Sequence, residues 1–234
     1  MEILVPAAGL STRFPDMPPK YLLRDNWGNP MLDNAIGYYY GRGDMFVGIL
    51  KEHDEKYDAT ETVLSLGIDS DPMTCIILPE KTNGPADTVY QMLKWLDEGR
   101  DDGAFLVKDC DSFFDHEIVK GNYVCTTTVG EHEVLRRLGS KSFVQVNDQG
   151  LITDIIEKKV VSDTFCVGGY KFEKRSEYMA AFEAISNTQT NEIYVSHVIQ
   201  YMINQGKQFF TRPVTDYVDV GTIDEWNEYL EKQG

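Results

Sequence analysis

The chain has 234 residues, 42% of them hydrophobic and 26% charged, a composition typical of a globular protein with a sizeable core. Its 22 basic and 38 acidic residues give a formal net charge of −16. This balance argues against nucleic acid as a partner, because binding a phosphate backbone needs a basic surface. A small phosphorylated ligand stays compatible, since a few local cations and a metal can hold one.

Short apolar runs alternate with longer amphipathic stretches along the chain. Strands are predicted over 2–6, 45–50, 74–78, 104–108, 123–129, 142–146, 152–156 and 165–172. Helices are predicted over 31–40, 55–66, 86–98, 176–185, 192–204 and 223–232. The alternation in the first half indicates parallel strands joined by crossovers, and the turn sequence NDQG at 147–150 predicts a hairpin. We therefore expect one α/β domain over 1–234, with a Rossmann-like, mixed and mainly parallel sheet flanked by helices.

Neither the beginning of the chain nor its apolar runs indicate a membrane. Residues 1–5 form a strand candidate rather than a basic-then-apolar leader, and no apolar run approaches the length of a bilayer span. The four cysteines occur singly, without a C-x-x-C pair: Cys75, Cys110, Cys125 and Cys166. Buried free thiols and a reducing cytoplasm are expected, with disulfides as the alternative.

Small residues and then cations follow the first predicted strand. The segment 7–13 consists of Ala7, Ala8, Gly9, Leu10, Ser11, Thr12 and Arg13. Small residues at the carboxyl end of a parallel strand let backbone N–H groups approach an anion closely. Arg13 could hold phosphate oxygens with its planar guanidinium, and Lys20 could follow charge on a transferring phosphoryl group. The alternative is a strand-to-loop turn with two surface cations.

Carboxylates follow another predicted strand and recur near the end of the chain. The strand over 104–108 leads into Asp109-Cys110-Asp111, where a hard cation could lie beside phosphates; an acidic, solvated turn is the alternative. Asp219 precedes Thr222, which has the pattern of a helix N-cap with Glu225 three residues on. The cap explains Thr222 but not Asp219.

Together these segments resemble the sugar-phosphate nucleotidylyltransferases, the NDP-sugar pyrophosphorylases. The family pattern A-A-G-x-G-[ST]-R, then P-K and K-P-M, corresponds to AAGLSTR at 7–13, PK at 19–20 and NPML at 29–32. Ser11 stands where the family usually has a second glycine. The pattern L-x-G-D-x-x-[FY] aligns Asp111 with the family's metal-binding aspartate, and D-x-G-T aligns Asp219 with the second one.

Two further segments resemble the family's substrate-binding motifs. Residues 142–173 match a pattern containing I-x-E-K-P and then G-x-Y, which aligns Glu157 and Lys158 with the acceptor-binding pair and includes Gly168 and Gly169. Lys159 replaces the usual proline. Neighbouring residues on a strand face opposite ways, so a bulge or a strand end is required at the pair. Gly84 lies in a segment, 80–89, where relatives recognise the base.

The resemblance implies the nucleotide-diphospho-sugar transferase fold and the reaction of an NTP with a phosphorylated acceptor to give NDP-acceptor and pyrophosphate. Mg²⁺ on Asp111 and Asp219 is implied as the cofactor, with Asp109 as a substitute or supporting ligand. Residues 1–115 would bind the nucleotide and 116–234 the acceptor. Sugar 1-phosphates are the commonest acceptors, phosphocholine-like compounds an alternative, and a pyrimidine base is slightly favoured. An oligomer is possible.

Two other functions stay open. Asp109-Cys110-Asp111 is literally a D-x-D, the metal motif of nucleotide-sugar glycosyltransferases of related fold. A non-catalytic nucleotide-binding homologue is the second alternative, although it would have no need of the aspartates and lysines. His197 is expected to be structural, and His53, His116 and His132 lack partners at metal-binding spacing.

Overall fold

The computed structural model describes residues 1–67, 72–96, 100–131, 138–188 and 191–234. The strands are β1 (Glu2–Pro6), β2 (Asp44–Leu50), β3 (Met73–Leu78), β4 (Phe105–Lys108), β5 (Ser112–Asp115), β6 (Tyr123–Thr128), β7 (Phe143–Val146), β8 (Ile152–Ile156), β9 (Thr164–Phe172), β10 (Phe210–Pro213) and β11 (Thr215–Asp219). The α-helices are α1 (Met31–Ile36), α2 (Lys51–Tyr57), α3 (Ala59–Ser65), α4 (Pro85–Leu96), α5 (Arg175–Ser186), α6 (Val195–Asn204) and α7 (Ile223–Gln233).

The main sheet is mixed and mainly parallel, with the strand order β10-β6-β9-β4-β1-β2-β3. Strands β4, β1, β2 and β3 run parallel, whereas β9 is antiparallel to both of its neighbours, β4 and β6. From β1 the chain moves outward to β2 and β3, and then returns to the other side of β1 as β4. The strand order therefore reverses between β1 and β4, where open α/β sheets bind their ligands.

Two antiparallel pairings lie beside the parallel strands. β7 and β8 form a hairpin, and β7 also pairs with β9. β5 and β11 form a separate two-stranded sheet in which Asp219 lies opposite Ser112. This second pairing brings the last strand of the chain next to the segment that follows β4.

Apolar side chains alternate between the two faces of the sheet, as the period of a strand requires. Leu4 packs with α4, α5 and α6 on one face, whereas Ile3 and Val5 pack with α1 and α3 on the other. A third cluster around Phe113 and Trp226 packs α7 against α1. Burial of both sheet faces under helices is what leaves only the strand ends open to a ligand.

The predicted strands are confirmed, and the turn at 147–150 joins β7 to β8 as expected. The sequence analysis did not predict β5, β10 or β11. Each has only four or five residues, and the exposure of β10 and β11 along their length leaves no alternating apolar pattern to detect. These short strands matter, because β5 and β11 position part of the site described below.

The predicted helices differ from the structure mainly at their ends. The helix over 55–66 was wrong as a single element: α2 and α3 are separated by Asp58, whose φ of 50° is left-handed. The helix over 31–40 ends at Ile36 and continues as a 3₁₀ turn. α6 begins at Val195 instead of 192, because backbone hydrogen bonds hold Ile193 against another loop. Residues 97 and 98 of the helix predicted over 86–98, and His132, lie outside the described residues.

The cysteines and the helices agree with a globular chain. None of the four cysteines forms a disulfide; three are buried and Cys75 is half-buried. Within the described parts of the chain, no helix has the length and hydrophobicity that crossing a bilayer requires.

Candidate active site

A cleft of about 510 Å³ opens where β1 and β4 end. Its walls come from the loop after β1, the segment 81–88, the turn after β4, the β7–β8 hairpin and residues 192–196. Five basic and five acidic side chains line it: Arg13, Lys20, Lys81, Lys141 and Lys158, and Asp109, Asp111, Glu157, Glu192 and Asp219. The chain as a whole has 22 basic and 38 acidic residues, so the cleft is less acidic than the chain as a whole. An anionic ligand is favoured there.

The loop after β1 turns at Ser11, whose φ of 51° is left-handed. Serine adopts this conformation reluctantly, but here its Oγ accepts a hydrogen bond of 2.9 Å from the backbone N–H of Lys20. The residue that replaces the family's glycine therefore keeps a glycine-like backbone and ties the loop to Lys20. The other residues predicted to bind nucleotide in this loop also line the cleft: Ala7, Ala8, Gly9, Leu10 and Thr12.

One amide of this loop is already used. The N–H of Ala7 donates to the carbonyl of Gly48 at 2.8 Å, which extends the pairing of β1 with β2. Ala7 therefore lines the cleft without offering an N–H group to a phosphate.

The two carboxylates predicted to bind a metal, Asp111 and Asp219, converge despite their separation in the sequence. β11 pairs with β5, which starts directly after Asp111, and the N–H of Val220 donates to the carbonyl of Asp111 at 3.0 Å. A Cβ added to Gly221 would lie 3.2 Å from Asp111 Oδ2, 3.3 Å from Asp219 Oδ1 and 3.8 Å from Arg13 Nη1. Both carboxylates and the Arg13 guanidinium therefore surround one point.

Each of these carboxylates is ion-paired with a lysine. Lys20 Nζ lies 2.5 Å from Asp111 Oδ2, and Lys141 Nζ pairs with Asp219 Oδ2. Burial lowers the pKa of Lys20, but the charge and hydrogen bond of Asp111, together with the nearby Cys110 and Asp109, outweigh burial and raise that pKa above its ordinary value. Burial also lowers the pKa of Lys141, but Tyr217 and Asp219 act against burial, and that pKa is raised overall. Both lysines are therefore charged at neutral pH.

The turn that carries Asp109 and Asp111 is held in place by Lys108 and packs closely against Gly168. Lys108 is fully buried, and its Nζ donates to the carbonyls of Asp109 and Ser112, each at 2.6 Å. Gly168, with a φ of 87°, lies so close to Asp109 that a Cβ there would be 2.7 Å from Asp109 Oδ2. Burial and the charge of Asp111 raise the pKa of Asp109 to about 6.

Glu157 and Lys158 come directly after β8, so the strand end that the sequence required at this pair is present. Lys158 has a left-handed φ of 55°, which turns the two neighbours toward the same cleft. Glu157 Oε2 accepts hydrogen bonds from the hydroxyls of Ser142 and Ser196, the latter at 2.7 Å. Lys158 Nζ donates to the hydroxyl of Tyr194 and lies 4.0 Å from the centre of its ring.

Gly84 allows the segment 81–88 to pack against the segment that carries Tyr194. Its φ is 100°, and a Cβ there would lie 2.6 Å from the carbonyl oxygen of Ile193. Ile193 donates its N–H to Asn83 at 2.9 Å and accepts from Ala86 at 3.1 Å. The segment expected to read the base therefore shares a wall of the cleft with residues 192–196.

Gly169 is the one predicted site residue that the structure places elsewhere. It is absent from the cleft lining, and a Cβ there would lie 2.8 Å from both Cys125 Sγ and Phe114 Cζ in the core. Gly168 and Gly169 are neighbours on β9 and face opposite sides. Of the two glycines predicted to bind the acceptor, only Gly168 therefore lies in the cleft wall.

Among the polar residues of the cleft that the sequence analysis missed are Lys141, Ser142, Tyr194 and Ser196. The first two directly precede β7, and the last two begin α6, which the apolar pattern presented as core packing. The only available signal was a pair of polar residues at the start of each element, which is too common to identify a site.

The two converging carboxylates fit Mg²⁺. This ion takes one or two protein carboxylates and completes its octahedral shell with phosphate oxygens and water. Across the ranges that the structure describes, no group of three or more His, Cys, Asp or Glu side chains forms a metal site. A donor set of two carboxylates suits an ion that binds together with phosphates.

Solved structures that share this fold include two pyrophosphorylases and a CTP transferase. The nucleoside-diphosphate-sugar pyrophosphorylase from Vibrio cholerae RC9 has a TM-score of 0.82 at 20% identity, covering 98% of this chain and 99% of that one. The inositol-1-phosphate CTP transferase from T. maritima has a TM-score of 0.75 at 14% identity, covering 99% and 93%. A UDP-glucose pyrophosphorylase complexed with UDP-glucose has a TM-score of 0.72 at 16% identity, covering 99% and 98%.

Comparison by sequence alone identifies no relatives of this chain. No protein-family model matches the chain, and the comparison with curated proteins gives no match. The structural comparisons confirm the expected nucleotide-diphospho-sugar transferase fold.

Proposed function

We propose that this protein is a nucleotidyltransferase that joins an NTP to a phosphorylated acceptor and releases pyrophosphate. The observation that carries the proposal is the convergence of Asp111, Asp219 and Arg13 on one point, with Lys20 paired to the first carboxylate. An arrangement of alternating cations and carboxylates at the switch point of the sheet suits a polyphosphate with a bound metal. The fold shared with pyrophosphorylases supports the same assignment.

The chemistry asks for positioning and charge neutralisation, not for a general base. The acceptor's phosphate oxygen is already anionic, so it needs no general base. It attacks the α-phosphorus directly and in line, so no covalent enzyme intermediate is needed. Arg13 holds the departing pyrophosphate with its guanidinium, and Lys20 stabilises negative charge at the α-phosphate. Ser11 supports Lys20 through the hydrogen bond to its backbone N–H.

Asp111 and Asp219 would hold Mg²⁺, with Asp109 as the adjacent carboxylate. When bound, the ion supplies Lewis-acid neutralisation of the phosphate oxygens. Lys108 contributes by fixing the carbonyls of the turn on which Asp109 and Asp111 lie.

Glu157 and Lys158 are the acceptor-binding groups of the proposal. The two serine hydroxyls that donate to Glu157 use one of its oxygens, Oε2, which leaves Oε1 to accept from a hydroxyl or amine of the acceptor. Lys158 is exposed at the cleft mouth and supplies a cation for the acceptor's phosphate. The acceptor is proposed to be a sugar 1-phosphate, with a phosphocholine-like compound as the alternative.

The base is proposed to be a pyrimidine. The T. maritima neighbour is described as a CTP transferase, and another neighbour is complexed with UDP-glucose. Gly84 and the segment 81–88 form the wall at which the base would be read. The protein is proposed to act in the cytoplasm, where its free thiols stay reduced.

The decisive experiment incubates the protein with Mg²⁺, each of ATP, GTP, CTP, UTP and dTTP, and a panel of phosphorylated acceptors, and measures pyrophosphate. Release that depends on both substrates, together with the NDP-acceptor identified by mass spectrometry, is the expected result. Transfer of a sugar from an NDP-sugar without pyrophosphate would instead indicate a glycosyltransferase. Absence of nucleotide binding in the presence of Mg²⁺ would indicate a non-catalytic protein.

A further inference from the structure

We propose that Lys141 keeps free divalent metal off Asp219, so that the metal enters the cleft as its nucleotide complex. The inference rests on the proposed function for the identity of the nucleotide, but the occupation of Asp219 by Lys141 is independent of it. Lys141 belongs to none of the family motifs found in the sequence, and no step of the proposed reaction uses it.

Lys141 is built into the cleft wall. It follows the 3₁₀ turn Leu138–Ser140 and directly precedes β7. Its side chain is 19% exposed and that of Asp219 is 12% exposed, so solvent screens the pair only partly. The ammonium therefore competes at close range with any cation that approaches Asp219.

The charges of the site explain the discrimination. Asp111 is already neutralised by Lys20, and Asp219 by Lys141, so the two carboxylates present no net negative charge to a free Mg²⁺. Arg13, whose guanidinium lies at the same point, adds a positive charge that attracts a metal–NTP complex of net negative charge and repels the bare ion. The cleft thus favours the complex over the bare ion.

The position of Asp219 does not depend on Lys141. β11 is held by its pairing with β5, and Asp219 Oδ1 accepts from the N–H of Gly221 at 3.3 Å. The backbone carbonyl of Lys141, which remains in any variant, accepts from the N–H of Lys158 at 3.1 Å. Replacing the ammonium therefore frees the carboxylate, while the pairing of β11 with β5 and the backbone hydrogen bond between Lys141 and Lys158 remain.

The test measures binding of Mn²⁺ alone to the free protein, by electron paramagnetic resonance and calorimetry, without nucleotide. Lys141→Gln is expected to bind Mn²⁺ about tenfold more tightly than the wild type, because a close like charge has been removed. Lys141→Arg retains the charge and is expected to bind as weakly as the wild type. A lysine with a purely structural role would give the opposite sign, since disorder at Asp219 weakens metal binding.

The matched control is Lys159→Gln, which removes one exposed lysine near the cleft but not in its lining. It is expected to leave Mn²⁺ affinity unchanged. The double variant Lys141→Gln/Asp219→Asn leaves no unpaired charge at this position, so we expect it to fold even if the single variant is unstable. Because it lacks the Asp219 carboxylate, it is expected to lose the gain in Mn²⁺ affinity.

Unchanged or weaker Mn²⁺ binding by Lys141→Gln would overturn the proposal, and so would an equal gain in the Lys159→Gln control or in the double variant. A wild-type protein that releases no pyrophosphate from any substrate pair would overturn the proposed function instead. The two failures are distinguishable, because Mn²⁺ binding is measured without any reaction.

Discussion

The cleft has two proposed sides: a nucleotide side, residues 7–20 and 109–111, and an acceptor side, residues 141–142, 157–158 and 192–196. The two sides hold their functional groups by different means. On the nucleotide side, backbone conformation positions the functional groups: Ser11 is left-handed, and Gly168 leaves room for Asp109. On the acceptor side, side chains hold one another, with Ser142 and Ser196 bonded to Glu157. Backbone requirements restrict residue types at fixed spacing, whereas networks of side chains are assembled across the fold.

The largest effect is expected for the charged residues of the nucleotide side. Lys20→Ala is expected to lower kcat by about 10²–10⁴-fold, by analogy with the loss of one electrostatic stabiliser of a transition state. Asp111→Ala is expected to lower kcat by a factor in the same range. Turnover is measured by pyrophosphate release, with circular dichroism to verify folding. Wild-type turnover in either variant would refute the role given to that residue.

Gly168→Ala tests whether backbone geometry is limiting on the nucleotide side. The added Cβ would meet Asp109 Oδ2 at 2.7 Å in a left-handed conformation, and strain of this kind costs about 1–3 kcal/mol. We expect a lower free energy of unfolding in denaturant titrations and reduced activity. Gly130→Ala, where a Cβ meets no atom within 4 Å, is the matched control. Equal stability of the two variants would contradict this interpretation.

Ser196→Ala tests the side-chain network of the acceptor side. Ser196 is 1% exposed and donates to Glu157 at 2.7 Å. Loss of a hydrogen bond to a charged group is expected to raise KM for the acceptor about tenfold. KM for the NTP is expected to stay unchanged, which initial-rate measurements with each substrate varied in turn would check. A parallel rise in both constants would mean that the two sides are not separable.

Ser11→Gly is expected to have the smallest effect. Glycine keeps the left-handed turn, so only the hydrogen bond to the Lys20 N–H is lost, and we expect kcat/KM for the NTP to fall about threefold. Ser11→Val offers the comparison, since a β-branched residue disfavours the positive φ and is expected to lose more. If glycine were as damaging as valine, the side chain and not the backbone would control this loop.

The fold was largely predictable because its main sheet is built from buried strands and amphipathic helices, each with its own periodicity. The order of β1 to β4 and the β7–β8 hairpin follow from apolar runs and a turn sequence. β5, β10 and β11 were not predictable in this way, because each has only four or five residues and because β10 and β11 have no alternating apolar pattern. The break between α2 and α3 at Asp58 was missed for a similar reason, since the apolar pattern continues across it.

The sequence by itself determined the turn bearing Asp109 and Asp111 and the strand end before Glu157 and Lys158. These features depend on neighbouring residues, whose spacing is fixed by covalent geometry. Only the tertiary structure decided that Asp219 reaches Asp111 through the β5–β11 pairing, that Lys141 neutralises it, and that Gly169 faces the core. Contacts between residues far apart in the chain are selected by packing of the whole fold, which leaves no periodic signature in either segment.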